Sequence, residues 1–179
     1  MNTENNQRFI DTERRIIQET ALLASQIGVQ KTTVSDICRK AGINRRSFYL
    51  HFPDVSAVIE KIEELSGAEL ARQFNASPDQ SVKECLVSTL NLLSKNREYY
   101  RPIYITRMSM RMFSPLWTEM LSALQSEDGE SAGTKEYDPY DEIFRRCGLS
   151  AMLIHWILND CPETADEMAD RILARAIIC

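Results

Sequence analysis

The segment Thr33–Phe52 constrains the fold of this chain more than any other stretch. Thr33 precedes a short apolar pattern of helical spacing, and Asp36 follows three residues later, in the arrangement of a capping box. Gly42 can end that helix in a left-handed conformation, and Asn44 can cap a second helix. Two short helices joined by a three-residue turn that contains glycine predict a helix-turn-helix.

The rest of the chain also has a helical pattern, because glycine and proline lie at segment ends and no stretch alternates with a period of two. Helices are predicted over about 9–27, 34–41, 45–50, 54–74, 98–112, 114–125, 139–159 and 162–177, with a further one that begins at Ser77-Pro78. The prediction is an all-α fold of about nine helices. An N-terminal three-helix domain at 1–53 is followed by a helical bundle at 54–179.

Composition excludes several classes of protein. Hydrophobic residues make up 44% and charged residues 26% of the chain, as in an ordinary globular protein. No apolar run approaches the roughly 18–20 residues of a membrane span, and the polar N-terminus does not resemble a signal peptide, so a cytoplasmic location is expected. Five scattered cysteines and two histidines show no disulfide framework or metal-ligand spacing. No catalytic constellation, metal site or cofactor motif is recognised, so an enzyme is not expected.

Charge is distributed unevenly along the chain. The net charge is −5, but residues 1–53 carry eight Lys or Arg and five acidic residues, a net charge of +3. The remaining residues carry a net charge of −8. A basic N-terminal end on an acidic body favours phosphate contact through that end alone.

The second helix of a helix-turn-helix lies in the major groove of DNA, where its first residues contact bases and phosphates. Arginine can bond guanine with two hydrogen bonds, and asparagine, serine and tyrosine can reach bases or phosphates. The residues predicted to contact double-stranded DNA are Thr33, Val34, Asn44, Arg45, Arg46, Ser47, Tyr49, Leu50 and His51.

This segment resembles the N-terminal domain of the TetR family of bacterial regulators. The matching motifs are Thr32-Thr33-Val34, Ile37-Cys38, Ala41-Gly42-Ile43-Asn44 and Tyr49-Leu50-His51-Phe52, with Ile16, Ala21 and Gly28 in the preceding helix. Two positions depart from the family pattern. Arg46 stands where the family often has glycine, which implies altered base preference. Val55 stands where the family often has a lysine that meets a phosphate, so that contact is expected to be weakened.

The resemblance implies a homodimer and a small-molecule pocket in residues 54–179. The predicted dimer interface comprises Leu149, Met152, Leu153, Trp156, Met168 and Ile172, and the alternative for these residues is the core of a monomeric helix pair. The predicted pocket for a small apolar or aromatic effector comprises Phe74, Tyr99, Tyr104, Met108, Met112, Trp117, Phe144 and His155, and the alternative for these is ordinary core.

The function expected from the sequence is a dimeric, DNA-binding transcriptional repressor that a small molecule releases from its operator. One alternative is a ligand-independent architectural or cell-cycle protein of the same fold, which would bind many dispersed sites. Another is an enzyme or interaction module in which the helix-turn-helix has lost its role. The distribution of bound genomic sites and the response to metabolites distinguish these possibilities.

Overall fold

The computed structural model describes residues 3–77, 79–101, 112–127 and 138–176. Within these ranges the chain is helical and contains no strand, which confirms the all-α class. The bounded helices are α1 (Thr3–Ile27), α2 (Val34–Ala41), α3 (Arg45–His51), α4 (Val55–Phe74), α5 (Val82–Lys95), α6 (Ser114–Glu127), α7 (Pro139–Leu158) and α8 (Ala165–Ala176). One turn of 3₁₀ helix (Val29–Lys31) follows α1, and residues 97–101 are also helical.

The described residues divide into two compact units. The first contains α1, α2, α3, the beginning of α4 to Glu64, and residues 98–101. The second contains the remainder of α4, α5, α6, α7 and α8. The division therefore falls within α4, whereas the sequence places a domain boundary between residues 53 and 54; that boundary stays a prediction.

The first unit is organised around one apolar core. Because apolar residues recur at helical spacing in α1, α2 and α4, each helix buries one stripe against the others. The core comprises Ile16, Ala21, Leu23, Ile37, Cys38, Phe48, Phe52, Val58, Ile59 and Ile62. Val34, Ile43 and Val55 pack at its edge.

In the second unit, α5 packs against α6 and α8, and α7 packs against α8. Two buried tryptophans anchor this arrangement. The Trp117 indole Nε1–H donates to Ser150 Oγ at 2.8 Å, and that of Trp156 donates to the Glu163 carbonyl at 3.1 Å. The corner between α7 and α8 places Asp160 and Cys161 in the left-handed region, at φ 62° and 52°, a conformation that is uncommon outside glycine and costs conformational energy.

Three helix starts differ from those predicted by sequence. Helix α1 begins at Thr3 instead of near Phe9, and α8 begins after Thr164 instead of at Pro162. Ser81, not Ser77, caps α5. Ser81 forms both halves of a capping box with Glu84, and a helix that starts there buries Val82. Local pattern alone cannot choose between two serines four residues apart.

In the part of the chain that the structure describes, no helix is both long enough and apolar enough to cross a membrane.

Candidate nucleic-acid interface

The α2–turn–α3 segment is stabilised at each end by local hydrogen bonds. Thr33 Oγ1 accepts the Asp36 backbone N–H at 3.2 Å and donates to Asp36 Oδ2 at 2.6 Å, so the cap uses both functions of the hydroxyl. Gly42 adopts φ 65° at the end of α2, where only glycine avoids a steric cost. Asn44 Oδ1 then accepts the Ser47 N–H at 2.8 Å and starts α3. The predicted helix-turn-helix is therefore present in the structure.

Helix α3 is attached to the core by its aromatic side. Phe48 is fully buried, and Phe52, at the end of the helix, is also buried. Their ring centroids lie 6.3 Å apart. The other side of the same two turns is open: Tyr49 is 55% exposed and Leu50 68% exposed. Because the chain itself does not cover these two large side chains, this side of α3 is available for a partner.

The arginines of α2 and α3 differ in their surroundings. Arg45 donates from Nη2 to Ser35 Oγ on α2. Arg39 pairs with Asp36 at 2.7 Å, and both belong to α2. Arg46 is exposed and has no hydrogen-bond or ion-pair partner among the described residues. Arg46 is therefore the guanidinium in this segment that is freest to meet a ligand.

His51 is less open than the sequence suggests. Its side chain is 4% exposed, and its Nδ1 lies 3.7 Å from Glu13 Oε2 on α1. The Phe9 ring covers it, with ring centroids 3.9 Å apart and the planes tilted by 34°. Sequence periodicity does not reveal this contact, because α1 and α3 are far apart along the chain. Contact of His51 with DNA stays a prediction.

The remaining predicted contacts occupy intermediate positions. Val34 is half-buried at the edge of the core, and Ser47 is half-buried beside its cap. Val55 also packs against the core, so the position where a lysine would meet a phosphate points its side chain inward. Asp54 Oδ1 accepts the Ala57 N–H at 2.8 Å and caps α4, which uses the carboxylate locally.

Cys38 lies under α3 in the core of this unit. Burial raises the pKa of the Cys38 thiol, while the nearby Arg45 charge acts in the opposite direction and lowers it. The net result is a neutral thiol that packs as a small apolar side chain. Cys38 contributes to the support of α3 through packing.

The predicted effector residues do not share one location. Phe74, Met112 and Trp117 are buried in the second unit. Tyr99 is 38% exposed and belongs to the first unit, and its ring packs against Tyr100. Phe144 is 73% exposed and His155 is exposed, so neither is enclosed by the chain itself. Tyr104 and Met108 lie outside the described residues.

A surface cavity of about 480 Å³ occurs elsewhere in the second unit. Its lining is polar and includes Lys83, Glu84, Ser88, Asn91 and Asp166. No residue predicted to bind the effector lines this cavity. The cavity therefore does not match the apolar pocket that the sequence predicts, and the effector site stays a prediction.

Five of the six predicted dimer residues are buried within the single chain. They are Leu149, Leu153, Trp156, Met168 and Ile172; Met152 is half-buried. The dimer interface predicted at these residues stays a prediction. Helix α7 also carries exposed residues spaced three or four apart along one side, which we term the open face: Tyr140, Phe144, Gly148, Ala151 and His155.

Comparison with known proteins finds similarity to bacterial transcriptional regulators. Residues 16–62 match the family model described as bacterial regulatory proteins, tetR family. The HTH-type transcriptional regulator AcrR of Shigella flexneri is 30% identical over 87 residues, which are 45% of this chain and 40% of that protein. The matched region thus spans well under half the length of that relative.

Solved structures share the fold across nearly the whole chain. A TetR transcriptional regulator from Streptococcus agalactiae has a TM-score of 0.69 and 16% identity, with 97% of this chain and 98% of that chain covered. The regulator FadR from Bacillus subtilis, solved with stearoyl-CoA, has a TM-score of 0.65 and 15% identity, with 92% and 97% covered. At these identities the likeness establishes the architecture of an N-terminal helix-turn-helix followed by a helical body.

Proposed function

We propose that the protein is a sequence-specific, DNA-binding transcriptional regulator of the TetR family, because residues 16–62 match the model of that family. The finer proposal is a cytoplasmic homodimer that represses transcription and is released from its operator by a small molecule. The observation that carries the DNA-binding proposal is the open side of α3, where Arg45, Arg46, Tyr49 and Leu50 are all exposed on a helix anchored by Phe48.

The chemistry of this side suits a major groove. A helix of two turns fits the groove, and a guanidinium can bond the O6 and N7 atoms of guanine. The Tyr49 hydroxyl can donate to a phosphate, and Leu50 can contact a thymine methyl group. The net charge of +3 on residues 1–53 favours the polyanion, while the net charge of −8 elsewhere disfavours wrapping of DNA around the body.

The proposed protein partner is a second copy of the same chain, which forms a homodimer. One short recognition helix reads few base pairs, and paired helices read two half-sites about one helical turn apart. The open face of α7 supports this proposal: Phe144 is 73% exposed and Tyr140 is 77% exposed, and Gly148 and Ala151 leave room for a neighbouring helix. Large exposed aromatic residues on a regular helix are typical of a contact surface.

The effector is proposed to be a small apolar or aromatic molecule that binds within residues 54–179. One relative of the same architecture binds an acyl-CoA. To move the protein from 99% bound to 99% released, an effector must prefer the released conformation by a factor of about 10⁴. Helix α4 contributes residues to both compact units, which makes it the proposed element through which the preference is transmitted.

Selection from a random-sequence duplex DNA library tests the DNA-binding proposal. The wild-type protein should enrich one motif, arranged as an inverted repeat. Arg72→Ala provides a matched control, because Arg72 is an exposed arginine on α4 that pairs with Glu69, and it should enrich the same motif. If the wild-type protein enriches no motif, the proposal of sequence-specific DNA binding is wrong. A genomic survey with many dispersed sites instead of a few discrete ones would favour the architectural alternative.

The dimer proposal is tested by sedimentation of two variants. Phe144→Asp places a charge on the open face of α7 and should shift the protein to monomer. Leu65→Asp introduces the same charge at another exposed apolar residue, 46% exposed on α4, and should leave the dimer intact. A dimer that survives Phe144→Asp would show that another surface forms the contact.

A further inference from the structure

The N-terminal turns of α1 contact the C-terminal end of α3, the proposed recognition helix. Phe9 and Glu13 are four residues apart and therefore lie on one side of α1. Both meet His51, the last residue of α3: the Phe9 and His51 ring centroids are 3.9 Å apart, and Glu13 Oε2 lies 3.7 Å from His51 Nδ1. Phe9 and Glu13 precede the helix-turn-helix, whereas His51 is the last residue of α3.

The ring contact is the stronger part of this cluster. A separation of 3.7 Å is too long for a hydrogen bond, and His51 Nδ1 is buried without a hydrogen-bond partner. The His51 side chain is nevertheless only 4% exposed at the end of an otherwise open helix. The Phe9 ring supplies the cover, and the carboxylate of Glu13 faces one edge of the imidazole.

Helix α3 needs such a support. It has only seven residues, and its fully buried residue is Phe48, near the middle. Phe52, directly after the helix, is also buried, so both core contacts lie on the aromatic side of α3. A two-turn helix held along one side can still tilt, and a tilt would move Arg46, Tyr49 and Leu50 relative to the bases. In enzymes, a misplacement of about 1 Å can lower the reaction rate about 100-fold. Hydrogen bonds from α3 to base edges depend on geometry in the same way. The contact of His51 with Phe9 on α1 adds a further attachment that limits this tilt.

We propose that Phe9 and His51 are positioning residues: the stack of the Phe9 ring on the His51 imidazole sets the orientation of the recognition helix, and His51 does not act by contacting DNA. The inference rests on the proposed DNA-binding function and deepens it. The beginning of α1 then belongs to the DNA-reading unit, although residues 1–15 precede the segment that matches the family model.

Two substitutions at residue 51 separate positioning from DNA contact. His51→Phe keeps a flat ring under Phe9 and removes every polar atom. His51→Gln keeps a hydrogen-bond donor and removes the ring. On the motif selected by the wild-type protein, fluorescence anisotropy should give near wild-type affinity for His51→Phe and about tenfold weaker binding for His51→Gln. The opposite order of affinities would overturn the proposal.

Substitution of the partner provides an independent check. Phe9→Ala should weaken specific binding as much as His51→Gln does, and the double variant should be no weaker than either alone. Additive losses would mean that His51 contacts DNA itself and would overturn the proposal. Ile10→Ala is the matched control, because Ile10 is 44% exposed and Phe9 is 45% exposed on the same helix. It should bind as the wild-type protein does.

Hydrogen exchange tests the positioning without DNA. The Phe52 N–H donates to the Phe48 carbonyl at 3.0 Å and reports on the last turn of α3. Phe9→Ala should accelerate exchange of the amides at 48–52, and Ile10→Ala should not. Equal exchange in all three proteins would overturn the proposal even if a DNA motif is selected. If no motif is selected, the DNA-binding function fails, and exchange alone still decides whether Phe9 restrains α3.

Discussion

At the scale of single residues, the two neighbouring arginines of α3 have different surroundings. Arg45 is tied to Ser35 on the preceding helix, whereas Arg46 has no such tie among the described residues. A tied guanidinium has a defined position, and an untied one can adapt to a base edge. We therefore expect the two residues to contribute in different ways.

Arg46→Ala should relax base preference at one position of the selected motif, at a cost of about 1–3 kcal/mol for the preferred base. Arg45→Ala should weaken binding to all sequences more evenly and reduce the salt dependence of affinity by about one unit of slope. Anisotropy titrations on the motif and on single-base variants, at several salt concentrations, measure both effects. Indistinguishable behaviour of the two variants would contradict the different roles.

Ser150 offers a second test at this scale, in the other compact unit. It is buried, and its Oγ is the acceptor for the buried Trp117 Nε1–H. Ser150→Ala leaves that N–H without its acceptor and should lower the free energy of unfolding by about 1–3 kcal/mol. Ser122→Ala, at an exposed serine of α6, should leave stability unchanged. Urea unfolding measures both variants, and equal effects would mean that water or another group replaces the acceptor.

At the scale of helices, α5 and α8 begin in the same way. In each, a hydroxyl residue caps the helix and a glutamate three residues later accepts the backbone N–H of the cap: Ser81 with Glu84 at 2.9 Å, and Thr164 with Glu167 at 2.9 Å. These backbone hydrogen bonds, followed by those from the cap hydroxyls, lower the pKa of both carboxyl groups. The charged form is therefore favoured in the folded protein.

The lowered pKa values predict how stability depends on pH. A carboxyl group whose pKa is lower in the folded state stabilises the protein above the unfolded pKa of about 4.3, and this contribution is lost as pH falls through the folded pKa. The double variant Glu84→Ala/Glu167→Ala should be less stable than wild type at pH 7. The difference should narrow below pH 4. Urea unfolding across this pH range measures the free energy of unfolding of both proteins. If the difference between them does not change with pH, the carboxylate charge is not its cause.

At the scale of the whole molecule, the open face of α7 links the stability of the folded chain to the proposed dimer. Gly148 is exposed in the middle of a helix, and an added methyl group would meet nothing within 4 Å in the single chain. Glycine in a helix costs about 0.8–1 kcal/mol relative to alanine. No neighbour within the single chain requires glycine at this position. Close approach of a second helix would explain why glycine is present there.

Gly148→Ala should therefore act in opposite directions on folding and on assembly. In the Phe144→Asp background, which is expected to be monomeric, it should raise the free energy of unfolding by about 1 kcal/mol. With Phe144 intact, sedimentation should show a weaker dimer. An unchanged dimer dissociation constant would mean that α7 helices of two copies do not approach closely at Gly148.

Much of this architecture can be predicted from sequence, because its determinants are local. The Thr33 cap, the left-handed Gly42 and the Asn44 cap each form hydrogen bonds or a turn within a few residues, and the structure contains all three. The start of α5 cannot be predicted in this way, because Ser77 and Ser81 both precede residues that suit the first turn of a helix. Packing of Val82 and Cys85 accompanies the start at Ser81, and packing is not a local property.

The sequence by itself determined the all-α class, the position of the helix-turn-helix and the basic character of the first 53 residues. Only the tertiary structure decided how individual side chains are used. It covers His51 with Phe9, ties Arg45 to Ser35 and leaves Arg46 open. It also buries Leu153 and Trp156 inside the chain while Phe144 remains exposed. The physical reason is that capping and helical periodicity act over a few residues, whereas burial depends on which distant segments meet.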